Sequence, residues 1–249
     1  MTQAGAPVLS LVVPAYNEAA RIAASLEHIA VYLNSLPYDS ELIVVDDASD
    51  AAGRKAVEEA LAVLRPGLTR HLLRHETNRG KGAAVRTGSQ AARGRYVAFI
   101  DADLAAPPEF LNGLLAALEA GADAAVGVRR QADGSDMRDS RGLKRRMAGR
   151  LFASAVRAIL IPGLIDSQCP LKAFRGESAQ RLFALQRIDT WSFDAELLYL
   201  ARRLGMTTAQ VPVRWSAVEG SHLRLSRSVG ELMNLLRIRW MHRKVTGNR

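Results

Sequence analysis

The sequence has almost no cysteine and no long hydrophobic run. Cys169 is the only cysteine among 249 residues, which excludes an intramolecular disulfide and fits a reducing compartment. No apolar run approaches the ~20 residues that a helix needs to cross a bilayer. The first residues also lack the basic flank and cleavage signature of a signal peptide. The sequence therefore predicts a cytoplasmic protein in which Cys169 is a buried structural thiol.

Positive charge is concentrated in two segments of the chain. The net charge is +9, and residues 129–157 and 221–249 each carry +6, so the remainder is slightly acidic. Nucleic acid, an anionic membrane surface, phosphorylated substrates and a merely solvated basic face are all compatible with this distribution. The basic segments lack the interleaved aromatic residues of a base-stacking surface, and no nucleic-acid-binding motif is present. Nucleic acid is therefore the disfavoured partner.

Strands and helices alternate through the first half of the chain. Short apolar runs separated by amphipathic segments are the pattern of a parallel sheet covered on both faces, in an α/β protein. Asn17 is predicted to cap the first helix. We predict one domain over residues 1–220 and a C-terminal amphipathic helical appendage over residues 221–249. Strands are predicted at residues 8–13, 41–45, 71–73, 96–100 and 124–128.

Two carboxylates follow a strand directly. The apolar run 96–100 ends in Asp101-Ala102-Asp103, and the carboxyl ends of strands in open α/β sheets are where ligands bind. Oxygen ligands one residue apart suit Mg²⁺ or Mn²⁺, which keep several waters and share themselves with substrate phosphates. A solvated turn is the alternative interpretation. The position of the two carboxylates at a strand end favours a metal site.

Other strand ends carry residues that suit a nucleotide. Pro14-Ala-Tyr-Asn-Glu18 offers an aromatic ring for stacking and a carboxylate for base or ribose donors. Asp46-Asp47-Ala48-Ser49 follows the second strand, and residues 78–88 place glycines and cations at a helix start, where free N–H groups favour phosphate. The spacing is not that of a Walker A loop. Lys81 is either a surface charge or a ligand.

Taken together, these residues resemble the family 2 glycosyltransferases, which use nucleotide-activated sugars on a single Rossmann-like GT-A domain. The resemblance covers residues 8–240. Residues 166–174, 191–197 and 215–223 are similar to later blocks of the dolichyl-phosphate glucosyltransferase and dolichyl-phosphate mannose synthase branch. The resemblance implies a metal-dependent, inverting transfer of glucose or mannose from a nucleotide diphosphate sugar to polyprenyl phosphate. The enzyme would be peripheral on the inner face of a membrane.

The resemblance also assigns roles to individual residues. Arg129 would face phosphates at the reaction centre, and His222 stands where the branch usually has a phosphate-binding lysine. Ala105 replaces a glutamine that some members place near the metal, and Pro170 replaces a glycine. The implied nucleotide contacts are Pro14, Tyr16, Glu18, Val45, Asp47, Asp101, Ala102 and Asp103, of which Asp101 and Asp103 would hold the metal.

Asp194 and the basic segment 141–146 are candidates for the acceptor side. Asp194 is either a catalytic base, a positioning residue, since an acceptor phosphate is already anionic, or an N-cap of the helix that follows. Arg145 and Arg146 are suited to bidentate binding of the acceptor phosphate. Transfer to a small soluble phosphorylated acceptor and a non-catalytic nucleotide-binding relative remain as alternatives.

The C-terminal segment predicts a helix with an apolar stripe. Cations flank this stripe, which fits an interfacial membrane helix, although packing onto the domain explains it equally well. An earlier apolar run, residues 151–160, similarly either shelters an isoprenoid chain or forms a core helix. The stripe consists of Val229, Leu232, Met233, Leu236 and Trp240.

Overall fold

The computed structural model describes residues 5–64, 66–129, 143–216 and 228–247, with the backbone alone for residues 143–150, 228–229 and 231–232. Seven strands and eight α-helices are described. The strands are β1 Leu9–Ala15, β2 Ser40–Asp46, β3 Thr69–Arg74, β4 Tyr96–Phe99, β5 Ala124–Val128, β6 Lys172–Arg175 and β7 Thr208–Pro212. The helices are α1 Ile22–Ser35, α2 Ala51–Val63, α3 Lys81–Ala91, α4 Leu111–Glu119, α5 Leu143–Ile159, α6 Gly176–Leu185, α7 Phe193–Arg203 and α8 Ser228–Met241, with a 3₁₀ turn, Pro108–Phe110, before α4.

The strands form one mostly parallel sheet, which confirms the predicted fold class. Their order is β3-β2-β1-β4-β6-β5-β7, and β6 alone runs antiparallel to both of its neighbours. The register pairs Ala15 with Asp46, so β1 and β2 end side by side, and β4 lies parallel on the other side of β1. The carboxyl ends of β1, β2 and β4 therefore meet at one edge of the sheet.

Apolar side chains cover both faces of this sheet. Leu11 and Val13 of β1 point to a core closed by α1, α2 and α4. Val12 points to the other face, where α3, α5, α6, α7 and α8 close a second core. Burial on both faces explains why the central strands are continuous apolar runs, without the alternation of a half-exposed strand.

The first connection differs from its prediction. Strand β1 continues to Ala15, and α1 begins only at Ile22, where Arg21 makes no side-chain cap. Asn17 therefore does not cap α1. It adopts a left-handed φ of 55°, and its side-chain oxygen accepts a hydrogen bond from the Asp50 backbone N–H at 2.8 Å. The left-handed conformation turns the chain away from the sheet, and asparagine tolerates this conformation well.

The C-terminal helix α8 packs on the domain through one face. Leu235 and Ile238 are fully buried in the second core. His242, just beyond the helix, lies with Nε2 2.7 Å from Oε1 of the buried Glu196 on α7. Arg203 adds a hydrogen bond to the backbone carbonyl of Val245 at 2.9 Å. Within the part of the chain that the structure describes, no helix is both long and apolar enough to cross a membrane.

Candidate active site

The two carboxylates of the predicted metal site lie immediately after β4. The Leu104 backbone N–H donates to the Asp101 carbonyl at 3.1 Å, and the Ala105 N–H donates to Asp103 Oδ1 at 3.1 Å. Leu104 takes a left-handed φ of 47° to close this turn. A residue other than glycine in that region is uncommon and marks a constrained loop. The turn holds both carboxylates at the carboxyl edge of the sheet, as the sequence predicts.

Lys81 belongs to this site. Its ammonium lies 2.6 Å from Asp101 Oδ1 and 4.8 Å from the centre of the Trp191 ring. Burial lowers the pKa of Lys81, but the carboxylates of Asp101 and Asp194 outweigh burial and hold that pKa above its ordinary value. Lys81 therefore stays charged. Of the two interpretations left open by the sequence, the surface charge is wrong.

The donor set fits a hard divalent cation. Burial and the neighbouring Asp101 raise the pKa of Asp103 above its ordinary value, so negative charge is costly here until a cation compensates it. Among the described residues, no group of three or more His, Cys, Asp or Glu side chains is arranged to hold a metal. Two carboxylates are sufficient for an ion that takes its other ligands from a diphosphate and water. Ala105 is buried and, as an alanine, supplies no side-chain ligand.

Asp194 lies in a buried ion pair next to this site. Its Oδ1 accepts a hydrogen bond at 2.6 Å from Lys172, whose ammonium also donates to the Cys169 carbonyl at 2.8 Å. Burial raises the pKa of Asp194, and Lys172 and Lys81 oppose that shift. The N-cap interpretation is wrong, because Asp194 lies inside α7 and Ser192 is the cap residue. A base and a positioning residue remain as the two interpretations of Asp194.

Asp47 anchors the loop that delivers Lys81. Its two side-chain oxygens accept hydrogen bonds from the backbone N–H groups of Arg79 at 2.9 Å and Gly80 at 2.7 Å. His75 lies with Nδ1 2.6 Å from Asp47 Oδ1 and Nε2 2.9 Å from Thr87 Oγ1. No sequence pattern selects His75 or Thr87, since only the fold brings them to Asp47.

Glycine is required within that loop. Gly80 has a φ of 103°, and a Cβ there would lie only 2.5 Å from the carbonyl oxygen of Asp189. Only glycine takes this conformation without strain. The close approach holds the loop against Asp189, in the segment just before α7, so Lys81 and Asp194 reach the same site from two sides.

The predicted nucleoside contacts from the first strand lie at the same edge. Tyr16 is exposed beyond β1, and Pro14 is half-buried. Glu18 forms an ion pair with Arg21 at 2.9 Å. Val45 is different, because its side chain is fully buried in the core against α3. Its predicted contact is therefore limited to the main chain, whereas Tyr16 presents its ring to solvent.

Arg129 lies at the end of β5 and forms a bidentate ion pair. Its guanidinium donates to the two carboxylate oxygens of Asp166 at 2.6 and 2.8 Å and lies 5.6 Å from the centre of the Trp215 ring. Ser216, which follows Trp215, donates its backbone N–H to the Ala105 carbonyl at 2.9 Å. Residues from two of the later sequence blocks thus meet beside the turn at residues 101–105, and Arg129 contacts both. Its contact with substrate phosphate stays a prediction.

The remaining acceptor-side residues are not placed by side-chain geometry. Arg145 and Arg146 lie on α5, of which residues 143–150 are described by their backbone alone, and His222 is outside the described residues. Their predicted binding of a phosphate therefore stays a prediction.

Comparison with known families decides what this constellation belongs to. The model of the family "Glycosyl transferase family 2" matches residues 10–183. This range runs from β1 into α6 and includes Asp101 and Asp103. The chain belongs to family 2 of the glycosyltransferases. The resemblance predicted from the sequence is confirmed.

Curated relatives of this family 2 glycosyltransferase share most of its length. It is 33% identical over 244 residues to the dolichyl-phosphate beta-glucosyltransferase of Dictyostelium discoideum, covering 94% of this chain and 74% of that protein. Identity to the Drosophila melanogaster enzyme of the same name is 34%, covering 86% and 69% of the two chains. The human enzyme of that name is 31% identical, with 86% and 69% covered. These relatives all carry the name of one branch of the family.

Solved structures establish the fold independently. The structure of glucosyl-3-phosphoglycerate synthase from Mycobacterium tuberculosis, in complex with Mn²⁺, UDP and glucosyl-3-phosphoglycerate, matches with a TM-score of 0.67 at 21% identity. The match covers 100% of this chain and 83% of that one. At this identity the likeness concerns the fold alone, and it confirms the glycosyltransferase architecture predicted for this family 2 member.

Proposed function

We propose that this enzyme transfers glucose from UDP-glucose to a polyprenyl phosphate of the dolichyl type, with inversion and with a divalent cation as cofactor. The name shared by relatives at 31–34% identity supports glucose and the lipid acceptor. Solved structures with this fold that contain UDP-glucose and Mn²⁺ support uridine and the metal. The observation that carries the proposal is the cluster of Asp101, Asp103 and Lys81 at the carboxyl edge of the sheet.

The leaving group is a diphosphate, so stabilising its developing charge is the main task of the site. Asp101 and Asp103 would hold Mg²⁺ or Mn²⁺, which when bound supplies positive charge to the diphosphate. Lys81 already lies against Asp101, and it stays protonated, so it is available to a phosphate oxygen beside the metal ligands. Tyr16 and the loop held by Asp47 would fix the nucleoside at the neighbouring strand ends.

The chemical step is a displacement at the anomeric carbon of glucose. An oxygen of the acceptor phosphate attacks from the face opposite the diphosphate, forming a new carbon–oxygen bond. The bond from the anomeric carbon to the diphosphate oxygen breaks, and its electron pair stays on the diphosphate. Since an acceptor phosphate is anionic near neutral pH, no proton must be removed from it. Asp194, which is buried and paired with Lys172, is therefore assigned a positioning role.

A small soluble phosphorylated acceptor is the second candidate. Solved structures of the same fold contain phosphoglyceric acid with UDP-glucose. The identity to that enzyme is 21%, against 31–34% to the dolichyl-phosphate enzymes, so the lipid acceptor is favoured. With a lipid acceptor, the reaction takes place at a membrane surface, which we propose to be the inner, cytosolic face.

The proposal is tested with a panel of nucleotide sugars and two acceptors. UDP-glucose, UDP-galactose, GDP-glucose and GDP-mannose are each incubated with a polyprenyl phosphate or with 3-phosphoglycerate, with Mg²⁺, Mn²⁺ or a chelator, and the products are resolved by mass. We expect glucosyl polyprenyl phosphate from UDP-glucose only, and loss of product with the chelator. Asp103→Ala should abolish turnover, whereas the matched surface variant Glu59→Ala on α2 should not. Transfer to 3-phosphoglycerate alone, or full activity without metal, would contradict the proposal.

A further inference from the structure

In the part of the chain that the structure describes, helix α8 has a second apolar face that is largely exposed. Leu235 and Ile238 are buried, but Met233, Leu236 and Trp240 are 61%, 53% and 65% exposed. These three residues are spaced by three and four positions, so they share one side of the helix. We call them the outer stripe. The domain uses the other side of α8 for packing, which leaves the outer stripe facing solvent.

Exposed apolar residues are concentrated in this part of the molecule. Among the described residues, seven large hydrophobic side chains are exposed, and four of them lie on α5 and α8. The fourth is Leu151 on α5, which is 68% exposed. The two helices pack together, and Arg239 of α8 donates a hydrogen bond to the carbonyl of Ile159 at the end of α5 at 2.7 Å. Concentrated apolar exposure marks an interaction surface more often than a solvated one.

The charge around the outer stripe is almost entirely positive. Arg237, Arg239, Arg243 and Lys244 are all exposed, and Glu231 is the one acidic residue between positions 228 and 247. The guanidinium of Arg243 lies 4.7 Å from the centre of the Trp240 ring. Apolar side chains with an aromatic among them, bordered by cations, have the composition of a helix that lies in the interface of an anionic bilayer.

The outer stripe begins close to the active site. Asn234, the neighbour of Met233, reaches Thr190 Oγ1 at 3.4 Å. Trp191 follows Thr190 and lies against the ammonium of Lys81, which in turn contacts Asp101. Thr190 and Trp191 thus connect α8 to the residues that would hold the diphosphate, so a membrane that contacts α8 would lie near them.

We propose that the outer stripe and its cations dock the enzyme onto a bilayer containing anionic phospholipids, with α8 lying in the plane of the interface. The proposal rests on the proposed function, because an enzyme that glycosylates a lipid phosphate must meet the membrane beside its active site. Apolar burial and Coulomb attraction both contribute, and the second contribution weakens as salt screens it.

Vesicle co-sedimentation of the full chain tests this surface. Vesicles of phosphatidylcholine with phosphatidylserine should bind the protein, and pure phosphatidylcholine vesicles or high salt should reduce binding. The double variant Leu236→Ser and Trp240→Ser should lower the partition coefficient about tenfold or more, because two large apolar side chains are lost from the interface. The matched control is Val31→Ser with Val63→Ser, two exposed apolar positions on α1 and α2 that are 58% and 80% exposed. This control should bind as the unchanged protein does.

A second pair of variants and a second assay keep the outcomes distinct. Arg237→Glu with Lys244→Glu should remove the preference for phosphatidylserine, and circular dichroism should show that every variant melts like the unchanged protein. Undiminished binding by the serine variant, equal loss in the α1 and α2 control, or a concentration-dependent dimer that this variant dissolves would overturn the proposal. In detergent with dispersed polyprenyl phosphate, the serine variant should keep its turnover. Absence of turnover by the unchanged protein there would instead refute the proposed function while leaving the docking surface intact.

Discussion

Replacing Lys172 by methionine tests the buried ion pair most directly. The side chains of Lys172 and Asp194 are almost completely buried, and Nζ lies 2.6 Å from Oδ1. Methionine fills a similar volume but leaves the Asp194 carboxylate without its nearest counter-charge. Removing one partner of a buried pair costs about 3–5 kcal/mol. For a domain of this size, each kcal/mol lowers the melting temperature by roughly 2–4 °C, so we expect a decrease of about 6–20 °C.

The loss should depend on pH in a defined direction. Burial raises the pKa of Asp194, and Lys172 opposes this, so the pKa of Asp194 rises further when Lys172 is absent. A carboxyl group whose pKa is higher in the folded protein than in the unfolded chain favours folding as it becomes protonated. The stability difference between Lys172→Met and the unchanged protein should therefore shrink as the pH falls.

Two further variants separate the pair from other causes. Lys172→Met combined with Asp194→Asn removes the unpaired charge, so most of the lost stability should return. The control Lys55→Met breaks the exposed pair with Glu59, whose atoms are 3.7 Å apart, and should leave the melting temperature nearly unchanged. Thermal melts and urea titrations measure all three. A loss of stability in Lys172→Met no larger than in the control would refute the reasoning, and turnover by the folded double variant would exclude Asp194 as a base.

Three further substitutions test other parts of the site. Asp103→Asn should abolish metal-dependent turnover yet melt at or above the unchanged protein at neutral pH without added metal, since burial and Asp101 raise the pKa of Asp103; a lower melting temperature would contradict this. His75→Ala should weaken UDP binding in calorimetry, because His75 holds Asp47, and should cost about 1–3 kcal/mol of stability; unchanged affinity would place the nucleoside elsewhere. Tyr16→Ala should weaken UDP binding without a change in melting temperature, because its ring is exposed; equal affinity would remove Tyr16 from the base pocket.

The parallel half of the sheet and the position of Asp101 and Asp103 at its edge were predictable from the sequence. The apolar run before Asp101 is buried on both faces, so its strand and its carboxyl end are evident from composition alone. Lys172 was not predictable, since a lysine is rarely buried and its partner Asp194 lies 22 residues away in the sequence. His75 and Asp47 are also far apart in the sequence. The pairing of β2 with β3 brings them together, and no local pattern indicates it.

The split of α8 into two faces was also beyond the sequence. Its apolar stripe was predictable, but packing on the domain and exposure to solvent both fitted it. Leu235 and Ile238, which lie outside the predicted stripe, are the residues that pack, whereas Met233, Leu236 and Trp240 are exposed. An apolar side chain on α8 is compatible with packing on the domain and with exposure. The neighbouring helices alone decide which side of α8 is buried.

The reversal of β6 brings a loop of opposite direction to the edge of the sheet where Asp101 lies. Because β6 runs against β4, its first residue, Lys172, pairs with Phe99, the last residue of β4. The segment that precedes β6, and not the segment that follows it, therefore borders the turn at Asp101. Asp166, which contacts Arg129, lies in this segment. The predicted nucleotide and metal contacts lie on loops that leave β1, β2 and β4, whereas Asp166 lies on a loop that arrives at β6. The arriving loop therefore borders the turn at Asp101 without continuing any strand that carries a predicted nucleotide contact.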